Sequence, residues 1–162
     1  MPDDLYRTDI LAWSRAQADR LRRVAAGERV NDLDWEHVIE EVEDVGRGEL
    51  KTVRSHFRNS LIHALKVVGW PGHSAGRKWR NEIRVFLSEA RGRFEPGMAQ
   101  HLDLPGLYAE ALEHVLDLDM RVPPAPLPPR VELTPAEVTG RGFGVDDLLA
   151  RIRAALPPAD AR

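Results

Sequence analysis

The run Arg58-Asn59-Ser60-Leu61-Ile62-His63 sets an arginine and an amide side chain five and four residues ahead of a histidine. An arginine can hold a phosphate through its planar fork, and a histidine near its ordinary pKa can pass a proton, so Arg58, Asn59 and His63 are the candidate catalytic residues. His37 and Glu41 stand four apart, a spacing that puts both on one helical face as two metal-ligating groups, with Asp44 close behind. Such a pair is more often a surface contact than a site, and the paired Glu-x-x-His motifs of metal-carboxylate bundles are missing. Downstream, His73, Arg77, Trp79 and Arg80 combine basic and aromatic character, a composition that can stack bases and hold phosphates, although Trp79 also fits the apolar stripe of its own helix. No phosphate loop, dinucleotide fingerprint, nucleophile elbow or zinc-protease pair occurs.

The elements that must carry these residues read as helices throughout. Ile10, Trp13, Leu21 and Val24 recur near helical spacing, Thr8 or Asp9 can cap the start, and Gly27 offers a stop. A second start signal at Asn31 to Asp34 leads into a helical pattern that runs to Trp70, where Pro71-Gly72 closes it. Gly46 and Gly48 lie inside, each costing about 1 kcal/mol against alanine, so the expected form is one kinked helix rather than two. Trp79, Ile83, Phe86, Leu87 and Ala90 mark a third helix ending near Gly92. Asp103 and Pro105 open a fourth that buries Leu107, Ala111, Leu112, Val115 and Leu118. The proline-rich stretch from Val122 to Val131 is expected to be extended and to link rather than pack. After a short turn at Thr134-Pro135, a last amphipathic helix carries Val145, Leu148, Leu149, Ile152 and Leu156 and stops at Pro157-Pro158. The fold class is therefore all-α, an antiparallel helical bundle with a long central helix. Its expected organisation is a bundle over 1–121, a connection over 122–133 and a C-terminal extension over 134–162 on the same domain.

Along the central helix Ile39, Val42, Leu50, Val53, Phe57, Leu61, Ala64 and Val68 form one stripe, expected to be the buried seam. Beside it Glu36, Glu40, Glu43, Arg47, Lys51, Arg54 and Arg58 run from acidic to basic, a polarity that suits the helix dipole and could pair with a second copy of the chain about a two-fold axis.

Two resemblances add to this. The Arg58 to His63 run is similar to the motif of the HEPN helical-bundle ribonucleases, which implies phosphate binding by the arginine and acid–base work by the histidine. More of the chain is similar to domain-of-unknown-function family number 29, a bacterial family. That likeness rests on Leu5-Tyr6, Asp9, Trp13, Gln17 and Leu21-Arg22, then Leu33-Asp34, Val38-Ile39-Glu40-Glu41-Val42-Glu43, Gly46-Arg47, His63, Leu65-Lys66 and Trp79. It covers roughly the first 120 residues and implies a helical fold and a cytoplasmic setting, with no activity or cofactor to carry over. The stretch from Pro123 to Leu149 departs from the family's closing segment. Within the likeness the polar or aromatic positions Glu40, Glu41, Glu43, Arg47, His63, Lys66 and Trp79 are where a site would be sought.

Composition bounds the rest. A chain of 162 residues can bury a core unaided, and with no cysteine it has no thiol catalysis, thiolate metal site or disulfide. The N-terminus lacks a signal-peptide pattern, and no window has the apolar length of a membrane span. A net charge of −3 does not support gripping nucleic acid over the whole surface. Together these readings point to a non-enzymatic interaction protein, acting on an unknown protein partner or on a second copy. No cofactor is expected. The HEPN-like ribonuclease and a metal-dependent bundle enzyme are the alternatives.

Overall fold

The computed structural model of the chain describes residues 2–158; the expected C-terminal extension to residue 162 runs beyond them. Among the described residues seven α-helices follow one another: α1 (Pro2–Thr8), α2 (Ile10–Ala25), α3 (Trp35–Gly69), α4 (Gly76–Arg93), α5 (Leu104–Leu116), α6 (Pro135–Thr139) and α7 (Val145–Ala154), with a 3-10 turn over Pro96–His101. No strand occurs among the described residues, so the fold is all-α.

Local chemistry explains the boundaries. Asp9 caps α2 by accepting from the Ala12 amide at 2.9 Å, and Gly27 leaves that helix with φ of 85°, a left-handed conformation that glycine adopts without strain. Asp103 caps α5 through the Gly106 amide at 3.0 Å. Thr134 and Glu137 make a reciprocal capping box on α6. The central helix α3 runs through Gly46 and Gly48 as one element, the single-helix form expected of it.

The chain separates into two compact units, Met1–Gly48 and Glu49–Arg162, with the boundary inside α3. In the N-terminal unit α1 packs on α2, and Trp13, Gln17 and Leu33 are buried. The larger unit holds an apolar core in which Val53, Phe57, Leu61, Ala64, Leu65 and Val68 of α3 join Trp79, Ile83, Leu87 and Ala90 of α4. Leu104, Leu107, Tyr108, Ala111 and Val115 of α5 complete it with Leu148, Leu149 and Ile152 of α7.

Two expectations are corrected here. The apolar seam of α3 is buried only in its second half. Ile39 and Val42 are 54% and 70% exposed, because the face of the first half turned toward α1 and α2 is instead the one bearing His37, Val38 and Glu41. The stretch 122–133 packs rather than merely links. Pro128, Val131 and Leu133 are buried, Tyr108 donates its hydroxyl to the Pro128 carbonyl at 2.7 Å, and Trp70 donates its indole N–H to the Val122 carbonyl at 2.6 Å. Prolines supply no amide donors, but their carbonyls and rings remain available to a neighbouring core.

Candidate functional site

In each unit one gathering of polar groups includes residues singled out from the sequence. In the N-terminal unit they gather around Asp34, which ends the loop before α3. Its carboxylate accepts the Trp13 indole N–H at 3.0 Å and lies 2.8 Å from His37 Nδ1, while its backbone N–H donates to Gln17 Oε1 at 3.0 Å. Burial works to raise this carboxyl, but the hydrogen bonds from Trp13 and His37 outweigh it and hold the group below its ordinary range. The Tyr6 ring stacks on His37 with centroids 3.9 Å apart, and its hydroxyl donates to Glu41 Oε1 at 2.8 Å. That bond to a carboxylate, chiefly, lifts the Tyr6 pKa to about 12. His37 and Glu41, the candidate metal ligands, are thus engaged by Asp34 and Tyr6. Among the described residues no three His, Asp or Glu side chains converge as a metal site would require.

The second gathering lies between α3 and α4 and unites three positions singled out from the sequence: His63, Lys66 and Trp79. Lys66 Nζ sits 4.6 Å from the centre of the Trp79 ring, against which His73 also stacks at 4.7 Å. His63 stacks on Phe86 at 5.6 Å, and its Nδ1 lies 3.0 Å from Glu82 Oε2, out of line for a hydrogen bond and buried without another partner. Burial lowers the His63 pKa. The Glu82 carboxylate pulls the other way, and the Lys66 and Lys78 charges add to the lowering. Burial likewise lowers Lys66. The result is a neutral imidazole at pH 7 beside a carboxylate and two ammonium groups. This arrangement can hold a proton or an anion, and it also fixes α4 on α3. Glu82 and Lys78 were not singled out in the sequence, and Phe86 only as part of the apolar pattern of its helix. Glu82 and Phe86 stand four positions apart on α4, which is the signal that could have found them.

Arg58 and His63 turn to different neighbours. Arg58 Nε lies 3.5 Å from Glu110 Oε2 on α5, beside an open groove of about 860 Å³ lined also by Glu113, His114 and Pro129. His63 faces α4 and is not part of that groove. The shared phosphate-holding cleft that the ribonuclease alternative needs is therefore not formed by these two side chains. Arg47 is bound by Asp44 and lies 3.4 Å from Glu43 on the exposed surface. Glu36 and Glu40 enter no ion pair among the described residues, and Glu40 is exposed. A second groove, of about 830 Å³ and mainly apolar, runs past Trp70, Pro71, Met120 and Val122.

What stands out on the surface is apolar. Trp35, Ile39, Val42 and Val45 recur on α3 at steps of four, three and three and are 53%, 54%, 70% and 71% exposed. Their acidic neighbours Glu36, Glu40 and Glu43 follow the same steps.

Comparison with known proteins adds a family and a fold. The family model described as a domain of unknown function, DUF29, matches residues 5–143. Among solved structures the chain is similar to an alpha-helical protein of unknown function from Rhodospirillum rubrum. The identity is 27% and the TM-score 0.69, over 91% of this chain and 96% of that one. No curated protein matches.

Proposed function

We propose that this chain, which belongs to the DUF29 family, is a helical interaction protein that binds through its N-terminal unit. The observation that carries the reading is the exposed ridge of Trp35, Ile39, Val42 and Val45. Isolated apolar side chains on a surface are ordinary, but a contiguous run anchored by a tryptophan is the composition of a binding surface rather than of a solvated flank. The Asp34 network supports it by fixing the start of α3, so the ridge is presented on a rigid element. A cytoplasmic setting fits a chain without cysteine.

A photo-reactive amino acid placed at Val42, which is 70% exposed, with Val85 of α4, 56% exposed, as the control, tests the reading in cells. A discrete protein adduct at Val42 but not at Val85 is the expected result. No adduct at Val42 above the control contradicts it.

A further inference from the structure

We infer that the partner of the acidic α3 ridge is the basic α2 ridge of a second copy of this chain, the two copies closing into a two-fold dimer through their N-terminal units. This rests on the interaction reading above and names its occupant. The second ridge lies on α2, where Leu11, Ser14, Ala18, Leu21 and Ala25 recur at alternating steps of three and four. It lies beside the face that buries Trp13 and Gln17, about a quarter turn around the helix. Leu11 is 59% exposed and Leu21 is exposed as well. Arg15 and Arg22 stand four residues beyond Leu11 and Ala18, and so flank this ridge.

The two ridges are therefore alike in apolar pattern and opposite in charge. On α3, Trp35, Ile39 and Val42 are flanked by Glu36, Glu40 and Glu43; on α2, the leucines are flanked by Arg15 and Arg22. Neither Glu36, Glu40 nor Arg15 enters an ion pair among the described residues, and the Arg22 contact with Asp19 is fully at the surface. Each copy carries both ridges, so one two-fold operation makes the α2–α3 contact twice. The same charges disfavour the competing arrangements. Packing α3 against α3 would bring Glu36, Glu40 and Glu43 of two copies together, and packing α2 against α2 would do the same for Arg15 and Arg22.

Sedimentation velocity on the full chain tests this with two charge-reversed variants, Glu36→Arg/Glu40→Arg and Arg15→Glu/Arg22→Glu, each checked for unchanged helical circular dichroism. Wild type is expected to sediment as a dimer at tens of micromolar, each variant alone to dimerise at least tenfold more weakly, and the equimolar mixture of the two to recover dimer. A wild type that stays monomeric at several hundred micromolar overturns the proposal, as does dimerisation indifferent to either reversal or a mixture that does not recover. A monomer that still gives a foreign adduct at Val42 would remove the second copy while leaving the interaction reading in place. A monomer without any adduct would remove both.

Discussion

The backbone N–H of Ala125 donates to the carbonyl oxygen of Gly69 at 2.7 Å, joining the proline-rich segment to the last residue of α3. A Cβ at Gly69 would meet Pro124 Cβ at 3.1 Å and Leu127 at 3.7 Å, so the closeness of the two segments depends on glycine at that position.

Gly69→Ala is therefore expected to destabilise the protein by about 1–2 kcal/mol, the overpacking against a rigid ring outweighing the gain in helix propensity. Gly46→Ala, at a position with nothing within 4 Å of the added atom, should instead stabilise by about 0.5–1 kcal/mol. Urea denaturation of the two variants beside wild type measures both signs.

Tyr108→Phe removes the donor to the buried Pro128 carbonyl and leaves that oxygen without its hydrogen bond. A loss of about 1–3 kcal/mol is expected, read from the shift of the urea midpoint at constant m-value.

Asp34→Ala strips the Trp13 indole and His37 of their shared acceptor and takes away the side chain at the start of α3. The expected cost is about 2 kcal/mol. Hydrogen exchange should show faster amide exchange in the first turns of α3, with α5 and α7 unaffected; uniform exchange across both units would contradict this assignment.

The pH dependence follows from His63, whose surroundings are Glu82, Lys66 and Lys78. Its folded pKa lies below the ordinary 6.5, so below that pH the unfolded chain binds the proton more readily than the folded one. The stabilisation is complete above about 6.5 and falls as pH drops toward the lower folded value. Melting temperatures from pH 8 to 5 should decline over this window in wild type and decline less in His63→Gln.

Much of the architecture was legible because helix starts and stops are local chemistry. Asp9, one of two candidates, and Asp103 announced their caps and Gly27 its turn, whereas Thr134, expected to open a short turn, caps the short helix α6. The buried face of the first half of α3 was not legible. Two stripes there have helical period, and the one that turns inward is partly polar: its His37 and Glu41 meet Tyr6, a residue distant in sequence, and His37 also meets Asp34 three positions before it. Proline content suggested an extended connection from Val122 to Val131 but carried no information about the Gly69 carbonyl and the Trp70 indole that meet it. His63, Lys66 and Trp79 were visible as family-like positions, whereas their meeting around Glu82 and Phe86 depends on how α4 is laid on α3.

A Trp35–Ile39–Val42 ridge that serves as the binding surface is covered when the protein works. Carbene footprinting compares its labelling in dilute purified protein with that in living cells. These three residues are expected to be labelled in dilute solution and protected in cells, while the exposed Val85 and Leu116 are labelled alike in both. Equal labelling of the ridge under the two conditions would contradict it.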